Sequence, residues 1–390
     1  MNKPKIRFKG FEGEWKEKAL GDVVDEFKYG INAAAVSYDG ENKYLRITDI
    51  DEGSRAFIKD ELASPDADLS SCNEYIMQDG DIVIARTGAS VGKSYIYRPI
   101  DGKVYFAGFL IRARVNKNVD REFVFQNTLT DGFKKYIRFV SQRSGQPGVN
   151  AEELKSYLMN LPASLPEQRA IASYFTSLDA QIAASTSRLS SLKQIKAASL
   201  LNMFPQKGET VPRVRFKGFQ GEWKERKLGE VCLVNRGVRI TRKDLSNAEG
   251  YPVFQNTNYP LGFYQYYNVE AKNPFVIIGG SAGLIGFSNK EFWAADDCVY
   301  FKDKEETDKS FLYNILCSHE AEIKKEVRGS SVPRLDRSIL EKLRINLPSL
   351  PEQRAIASYF TALDAQITLH RERLEKLKQI KAACLEKMFA

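Results

Sequence analysis

Residues 166–182 read PEQRAIASYFTSLDAQI, and residues 351–367 repeat this stretch with one substitution in 17 positions. A second pair of blocks lies upstream, where residues 4–23 (PKIRFKGFEGEWKEKALGDV) match residues 212–231 (PRVRFKGFQGEWKERKLGEV) at 14 of 20 positions. The stretches between the blocks share little sequence; they cover roughly 24–160 and 232–346. Such internal repetition predicts two similarly built halves, which fold as a pseudo-dimer and present two related but different surfaces.

Each late block is predicted to begin a long helix. Ser-Leu-Pro-Glu at Ser164 and again at Ser349 matches a capping box, in which the serine oxygen caps a free amide and the glutamate returns to the serine amide. Apolar residues then recur at about 100° per residue, so each helix carries one apolar stripe. The stripes consist of Ile171, Tyr174, Phe175, Leu178, Ile182, Leu189, Leu192, Leu200 and Met203, and of Ile356, Tyr359, Phe360, Leu363, Ile367, Leu374, Leu377, Leu385 and Met388.

Two helices with the same narrow stripe are predicted to pack on each other, most simply as an antiparallel coiled coil. A helix from Glu167 to Met203 would be roughly 55 Å long at about 1.5 Å per residue. We expect such a rod to space the two variable regions, although plain packing of the two halves is an alternative interpretation. Lys196 and Lys381 lie on the stripes at equivalent places. They either fix the register or extend outward to solvent, and we favour solvent.

The variable regions are predicted to be mixed α and β, with the same order of elements in both. In the first region strands are expected at 43–50, 81–88 and 103–115, followed by one or two helices at 121–140. In the second region strands are expected at 251–257, 275–280 and 298–302, followed by helix at 309–327. Both regions end in a Gly/Ser turn, at 144–150 and at 328–334. The two regions are therefore expected to share one fold whose surface differs.

The predicted fold class is α+β, with two mixed α/β recognition domains separated by two long antiparallel helices and related by an internal pseudo-twofold repeat. A joint containing glycine and proline, FPQKGETVP at 204–212, links the halves. The expected domain boundaries are 1–163 for the first recognition domain, 164–211 for the central helix and linker, 212–348 for the second recognition domain, and 349–390 for the C-terminal helix.

Composition narrows the class of protein. The chain has 390 residues, 43% of them hydrophobic, with no signal-like apolar segment at its start and no apolar run long enough to cross a bilayer. We therefore expect a cytoplasmic protein. Five cysteines without a C-x-x-C pairing predict neither a disulfide framework nor a zinc site. A net charge of +8 is compatible with a polyanionic partner.

The doubled blocks carry a resemblance to a known family. The SLPEQRAIASYF block opens each helix, LKQIKAA followed by Met-Phe closes it, and RFKGFxGEWKExxLG leads each half. Together these resemble the specificity subunits of type I restriction-modification enzymes, over essentially the whole chain. The strand and turn DIVIARTGASVGK at 81–93 are also similar to the first recognition domain of that family.

The resemblance implies a DNA-binding scaffold without catalytic activity of its own. Two target-recognition domains, inverted about a pseudo-twofold axis, would each read one half of a split DNA sequence. The paired helices would set the unread gap and bind two methylation subunits, and restriction subunits would join the larger complex. S-adenosylmethionine, ATP and Mg²⁺ are expected in the partner subunits and not in this chain.

Several motifs are close to catalytic signatures without completing them. TGASVGKS at 87–94 has threonine where a phosphate-binding P-loop begins with glycine. We interpret it either as a turn that approaches a DNA phosphate or as a plain hairpin turn, and GGSAGLIG at 279–286 occupies the corresponding place. Asn-Pro-Phe at 273–275 lacks the second proline of an amino-methyltransferase motif. His319 and His370 have no neighbours at metal-ligand spacing.

Candidate DNA contacts are basic residues interleaved with amide and aromatic side chains. In the first half they are Lys28, Tyr29, Arg46, Arg86, Thr87, Lys93, Arg143 and Gln146. In the second half they are Arg236, Arg239, Arg242, Lys243, Asn256, Asn258, Tyr259 and Tyr264, with Tyr266 nearby. Any one of them is alternatively a solvated surface residue. The acidic residues Asp49, Asp51, Glu52, Asp296 and Asp297 are expected to lie in solvated turns.

Two other classes of function compete with a specificity subunit. A free-standing DNA-binding regulator would use the pseudo-dimer to bind an operator without enzyme partners, and co-purification with a methylation subunit would distinguish the two. A catalytic nuclease or methyltransferase is disfavoured because the required motifs are incomplete.

Overall fold

The computed structural model describes residues 3–143, 145–247, 249–304 and 306–389. The chain forms two compact units, and the boundary between them falls inside both long helices. The first unit contains the residues up to Ser187 together with those from Glu372 onward, and the second unit contains Arg188–Arg371. Each unit therefore combines one variable region with part of each long helix.

The first unit is built around an antiparallel sheet with strand order β2-β9-β6-β7. Two small sheets flank it, antiparallel β3-β5 and parallel β4-β8, and β1 pairs with β10. The strands are β1 (Lys16–Ala19), β2 (Val24–Tyr29), β3 (Ala35–Ser37), β4 (Lys43–Leu45), β5 (Ala63–Pro65), β6 (Ile82–Ala85), β7 (Ser94–Ile96), β8 (Val104–Phe106), β9 (Leu110–Val115) and β10 (Leu158–Leu161).

Three short helices cover one face of this sheet before the first long helix begins. The helices are α1 (Arg121–Asn127), α2 (Asp131–Val140), α3 (Ala151–Lys155) and the long α4 (Leu165–Asn202). Phe123, Phe133 and Phe175 are fully buried in the core between sheet and helices, and Phe389 from the end of the chain packs on Phe123 and Phe175 with ring centroids 5.0 and 5.7 Å apart.

The second unit repeats this plan with strand order β12-β18-β15-β16 in its main sheet. A three-stranded sheet β14-β13-β17 flanks it, and β11 pairs with β19. The strands are β11 (Lys224–Lys227), β12 (Cys232–Arg236), β13 (Tyr251–Phe254), β14 (Gly262–Tyr264), β15 (Asn273–Ile277), β16 (Ile285–Ser288), β17 (Trp293–Ala294), β18 (Cys298–Asp303) and β19 (Arg344–Leu347). The helices are α5 (Leu228–Val231), α6 (Lys309–Ser318), α7 (Glu320–Lys325), α8 (Arg337–Lys342) and the long α9 (Leu350–Met388).

Most of the strands and helices expected from sequence are confirmed, and two differ. Residues 43–50 form only the short strand β4 and a 3-10 turn at Ile47–Asp49. Residues 103–115 form two strands, because the chain turns between Phe106 and Leu110. Within the described residues, no helix is both long and apolar enough to cross a membrane.

The long helices α4 and α9 contain 38 and 39 residues, and they pack antiparallel within each unit. In the first unit the Tyr174 hydroxyl lies 3.4 Å from the Cys384 sulfur, and the Lys381 amine donates to Asp179 at 2.5 Å. In the second unit the Ser199 and Tyr359 hydroxyls lie 2.9 Å apart. Residue numbers rise on one helix as they fall on the other, which defines the antiparallel direction.

The stripe positions follow a coiled-coil spacing of alternating three and four residues. On α9 the positions run Ile356, Phe360, Leu363, Ile367, His370, Leu374, Leu377, Lys381, Cys384 and Met388. Most of the predicted apolar members are buried on both helices, and the others, such as Ile182 and Ile367, are half-buried.

The expectation that Lys196 and Lys381 extend to solvent is wrong. The Lys196 amine donates to Asp364 at 2.6 Å, just as Lys381 donates to Asp179, and these lysine side chains are only 20% and 14% exposed. Each lysine finds a carboxylate on the opposite helix because the repeat places both partners at equivalent positions. The two ion pairs therefore fix the register of the antiparallel helices.

The serine half of the predicted capping box is confirmed at the start of the first long helix. The Ser164 hydroxyl accepts from the Glu167 amide at 3.4 Å. The glutamate does not return to the serine amide: Glu167 is 2% exposed, and its carboxylate accepts from the Arg7 guanidinium at 2.7 and 2.8 Å and from the Trp15 indole at 3.2 Å. In the second unit Glu352 binds Arg215 at the same two distances. The buried charge is better paired with an arginine than with an amide.

The neighbouring glutamine attaches each variable region to its long helix. Gln168 accepts a hydrogen bond from the Asp120 amide at 2.9 Å and donates to the Pro162 carbonyl at 2.8 Å. Gln353 accepts from the Asp308 amide at 2.9 Å and donates to the Pro348 carbonyl at 3.1 Å. Both glutamines are 2% exposed. The repeated Pro-Glu-Gln sequence therefore holds the leading segment through its glutamate and the recognition domain through its glutamine.

Candidate nucleic-acid interface

Three loops of the first unit meet where β6 ends. The Arg86 amide donates to the Phe109 carbonyl, and the Gly88 amide donates to the Pro147 carbonyl, both at 2.9 Å. Gly88 and Gly92 have φ angles of +69° and +80°, in the left-handed region that favours glycine. Loops 86–92, 107–109 and 145–148 thus form one rigid surface, which we call the first platform.

The second unit has the same arrangement at the end of β15. The Ile278 amide donates to the Asp297 carbonyl at 2.8 Å, and the Gly280 amide donates to the Pro333 carbonyl at 3.1 Å. Loops 278–284, 295–297 and 331–334 form this second platform. The predicted correspondence between 279–286 and 87–94 is confirmed by these hydrogen bonds.

A glycine at the end of β2 or β12 allows the closest backbone approach on each platform. A Cβ atom at Gly30 would lie 2.3 Å from the carbonyl oxygens of Phe106 and Ala107. One at Gly237 would lie 2.1 Å from the carbonyl oxygen of Ala295. No side chain fits at either position, so the backbone geometry of both platforms is constrained in the same way.

Four candidate cations of the first unit are already paired with carboxylates. Each of them serves the fold in this state and is less available to a ligand than an unpaired cation. The pairs are Lys28 with Glu74 (2.6 Å), Arg46 with Asp49 (2.8 Å), Lys93 with Glu52 (3.2 Å), and Arg143 with Glu153.

Asp49 corrects the expectation of a solvated acidic turn. It is 8% exposed, and its carboxylate accepts from both the Arg46 guanidinium and the Arg46 amide at 2.8 Å. The hydrogen bond that the Arg46 guanidinium donates to Asp49 raises the pKa of Arg46. The neighbouring Asp51 lies in a turn as expected, where it accepts from the amides of Gly53 and Ser54 at 3.1 and 2.6 Å.

Arg86 differs from the paired cations of the first unit. Its guanidinium stacks on the Tyr29 ring with 4.8 Å between the carbon and the ring centroid, and its buried Nε has no hydrogen-bond partner among the described residues. Gln146 is exposed. It lies beside the turn, because a Cβ atom at Gly88 would be 2.7 Å from the amide nitrogen of Gln146. Thr87 is half-buried and bridges to Gly148. The structure therefore brings Tyr29, Arg86, Thr87 and Gln146 together.

The basic candidates of the second unit are more open. Arg236 is exposed and donates to the Asp296 carbonyl at 2.7 Å. Arg239, Arg242 and Lys243 are exposed on the segment that follows β12, and none forms an ion pair with a described residue. These three cations are available to an anionic ligand.

The amide and aromatic candidates of the second unit divide into exposed and packed residues. Asn256 and Tyr259 are solvent-accessible, Tyr259 at 74%. Asn258 is half-buried and donates to the Ile285 carbonyl at 3.4 Å, and Tyr264 packs on Trp293 with ring centroids 5.0 Å apart. Asn256 lies against the second platform, where a Cβ atom at Gly280 would be 2.8 Å from its side chain.

Sequence reasoning missed Phe109, Asp297 and Val332 as platform residues. Phe109 is 59% exposed and Val332 is 56% exposed. Asp297 pairs with Arg334 at 3.2 Å and so is not a free turn carboxylate. One signal could have indicated Phe109. It lies in the short connection between the two strands of 103–115, where a large aromatic ring is less able to pack into the core.

The incomplete catalytic motifs have structural roles. The turn at 87–94 leads into strand β7 and not into a helix, so it lacks the context of a P-loop. Asn273, Pro274 and Phe275 lie in the buried strand β15. His319 ends α6, with Nδ1 2.9 Å from the Ile315 carbonyl oxygen. Over 3–143, 145–247, 249–304 and 306–389, no group of three or more acidic, histidine or cysteine side chains could hold a metal ion.

Comparison with known proteins agrees with this architecture. The family model described as the type I restriction modification DNA specificity domain matches the chain twice, at residues 12–194 and 220–379. The chain belongs to this family. Each match includes one variable region, its platform and the first part of the long helix that follows.

One curated specificity subunit is similar to the chain over nearly its full length, and another over less than half of it. The specificity subunit of the type I restriction enzyme MjaVIII from Methanocaldococcus jannaschii is 20% identical over 94% of this chain and 90% of its own. A putative type I specificity subunit from Mycoplasma pneumoniae, S.MpnORF507P, is 28% identical over 39% of this chain and 43% of its own. The crystal structure of a type I restriction-modification system S subunit from M. genitalium has the same fold, with a TM-score of 0.76 at 16% identity over 100% of this chain and 99% of that chain.

Membership in this family accounts for the incomplete catalytic motifs. Proteins of this family are specificity subunits, which have no catalytic activity of their own, and this chain is one of them. A free-standing regulator is not favoured, because the similarity covers both recognition domains and both long helices together.

Proposed function

We propose that the chain selects a bipartite DNA sequence for a type I restriction-modification complex, with one half-site read by each recognition domain. The observation that carries this proposal is the pair of platforms. They share strand order and hydrogen-bond pattern, yet their side chains differ. The two domains have the same backbone arrangement but different surface side chains. They are therefore suited to bind two similar ligands of different sequence, which are the two halves of a split DNA site.

We propose further that α4 and α9 set the unread gap between the half-sites. The facing apolar stripes and one interhelical ion pair in each unit make the antiparallel pair of helices stiff within that unit. At about 1.5 Å per residue a 38-residue helix is about 57 Å long. The number of residues in the two helices would therefore determine which gap is preferred.

Deleting one heptad from both helices tests this role. Removal of 182–188 and 367–373 keeps the three-four spacing and retains both Lys–Asp pairs and both hydroxyl contacts. Each helix becomes about 10 Å shorter, which corresponds to about three base pairs of B-DNA. The preferred gap should shorten by about that amount, with both half-sites unchanged. Changed half-sites with an unchanged gap would contradict the proposal.

The partners proposed for this chain are double-stranded DNA, two methylation subunits and, in the larger complex, restriction subunits. One of the solved proteins of the same fold comes from work on complex assembly and conformational transition of the type I system, with a TM-score of 0.52 at 17% identity. S-adenosylmethionine, ATP and Mg²⁺ would be bound by the partner subunits. This chain would contribute sequence selection and the surface on which they assemble.

Co-expression with a candidate methylation subunit, followed by genome-wide mapping of modified adenines, tests the function directly. The expected result is co-purification of the two proteins and one modified motif with two defined halves and a constant gap. A pure specificity chain that binds one continuous site, without associating with a methylation subunit, would support a regulator.

A further inference from the structure

The two platforms allow a comparison of equivalent positions within one chain. Gly30 and Gly237 donate to the carbonyls of Leu110 and Cys298 at 3.2 and 2.8 Å. The chain then continues in the same way, since the next amide in each unit donates to a carbonyl at the end of a flanking strand. These hydrogen bonds, together with those at Gly88 and Gly280, assign platform residues of one unit to residues of the other.

Four side-chain positions change in chemistry while the backbone around them stays the same. The assigned pairs are Tyr29 with Arg236, Arg86 with Ile278, Phe109 with Asp297, and Gln146 with Val332. Both members of the pair Tyr29 and Arg236 are exposed, Tyr29 at 40%. Both members of the pair Gln146 and Val332 are exposed as well, Val332 at 56%. A stacked arginine in the first unit is replaced by a buried isoleucine in the second.

We infer that the solvent-accessible side chains at these positions determine the base sequence of each half-site, and that Arg86 recognises a guanine in the first half-site. This inference rests on the proposed function and names the residues that carry its specificity. A constant backbone with variable side chains is what two domains need in order to approach DNA alike and read different bases.

Arg86 is suited to base recognition by its surroundings. Tyr29 holds one face of the guanidinium at 4.8 Å, and no carboxylate of a described residue pairs with it. A guanidinium fixed in this way keeps two N–H donors in one plane, and these can bind two acceptors on the edge of one base. Guanine presents two such acceptors, O6 and N7, in the major groove. The paired cations Lys28, Arg46, Lys93 and Arg143 would each first have to lose a carboxylate.

Phe109 and Gln146 flank Arg86 and complete the surface. The Phe109 carbonyl accepts from the Arg86 amide, which holds the backbone of Phe109, whose ring is exposed, next to Arg86. An exposed aromatic ring suits apolar contact with a thymine methyl group, and an amide side chain suits the paired donor and acceptor of adenine. In the second unit Val332 offers an apolar contact, and Asp297 offers an acceptor only when it separates from Arg334, so the second half-site should differ in base composition.

Two substitutions of Arg86 test the inference in the complex with a methylation subunit. Arg86→Gln removes the charge, and Arg86→Lys keeps the charge but cannot form the paired contact. The matched control is Lys117→Gln, which removes one exposed charge beyond the opposite end of β9. Modification is measured on a library of duplexes randomised in both half-sites, and thermal unfolding confirms that each variant is folded.

Both Arg86 variants are expected to lose discrimination for guanine at one position of one half-site, by about fivefold to 100-fold. The other half-site and the Lys117→Gln control should match the wild type. Equal weakening on all sequences by Arg86→Gln, with normal behaviour of Arg86→Lys, would overturn the inference in favour of a phosphate contact. Unchanged discrimination in both variants would also overturn it. A wild-type complex without two half-sites would overturn the proposed function and the inference together.

Discussion

Glu167 accepts two hydrogen bonds from Arg7, at 2.7 and 2.8 Å, although the two residues are 160 positions apart. Glu352 and Arg215 repeat this contact in the second unit. Each contact joins a leading segment to the start of a long helix. The two repeated blocks of the sequence are therefore contact partners, which accounts for their joint retention in both halves.

Replacing Glu167 by alanine should destabilise the first unit substantially. The substitution leaves the Arg7 guanidinium without its carboxylate and the Trp15 indole without its acceptor, and Glu167 itself is 2% exposed. Breaking such a buried, hydrogen-bonded pair costs about 2–4 kcal/mol in the free energy of unfolding. Urea unfolding followed by tryptophan fluorescence measures the loss. Glu12→Ala, at an exposed position of the same segment, is the control, and equal stabilities of the two variants would refute the assignment.

Reversing the charges of one interhelical ion pair should show that it fixes the register. Lys381→Asp places two carboxylates together on the facing helices at Asp179 and should lower the thermal midpoint. The double variant Asp179→Lys with Lys381→Asp should recover part of the loss, because the attraction is restored in the opposite sense while the hydrogen bond from Gln126 to Asp179 is lost. Lys378→Asp removes an exposed pair within α9 and should change the free energy of unfolding by less than about 0.5 kcal/mol. Absence of recovery in the double variant would contradict a direct pairing.

Three open cations of the second unit should contribute to the salt dependence of DNA binding. The plot of log affinity against log salt has a negative slope. Substitution of Arg239, Arg242 and Lys243 by glutamine should make this slope shallower by about 0.9 for each phosphate that is no longer neutralised. Fluorescence anisotropy at several salt concentrations measures this slope. The control replaces Lys217, Lys224 and Lys227, which are exposed on the leading segment of the same unit. An effect of the control as large as that of the first set would indicate a general charge effect.

The buried thiol of Cys232 should resist alkylation in the folded protein. Burial raises the pKa of Cys232 from 9.0 to about 12, so at pH 8 very little reactive thiolate is present. Between pH 9 and 12 the unfolded thiol ionises while the folded thiol stays neutral, and the free energy of unfolding should decrease with rising pH. Mass spectrometry after iodoacetamide treatment at pH 8 checks the first point, with the urea-unfolded chain as control. Rapid labelling of folded Cys232 would show that the site is open.

The sequence predicts the repeat, the helix stripe and most strands because these depend on local spacing. The stripe at Ile171, Phe175 and Leu178 is buried as its period predicts. The errors concern the extent of two strands and, above all, partners distant in sequence. The glutamate of Ser-Leu-Pro-Glu fits a local capping box, but the structure pairs Glu167 with Arg7, and nothing in the local pattern indicates an arginine 160 positions away.

The candidate interface could be predicted as a set of residue types but not as a surface. Lys28, Arg46, Lys93 and Arg143 resemble ligand-binding cations in the sequence, yet each pairs with a carboxylate, which for Arg46 is the nearby Asp49 and for the others is brought close by folding. Arg86 has the same residue type and a different environment, because Tyr29 reaches it from β2. Phe109 was missed because its exposure depends on the loops that surround it. The burial of a side chain and its pairing with a carboxylate distinguish Arg86 and Phe109 from the other candidates, and both depend on the fold.

The hydrogen bond accepted by Gln168 and by Gln353 comes from a main-chain amide, that of Asp120 or Asp308. Any residue except proline can donate such a bond, so the attachment asks almost nothing of the amino-acid sequence of the attached domain. Foreign domains of the same topology could be grafted between the repeated blocks if their core residues also pack on Phe175 or Phe360. Diversification of target choice would then need only the exchange of a cassette, whether by recombination in a genome or by an engineer.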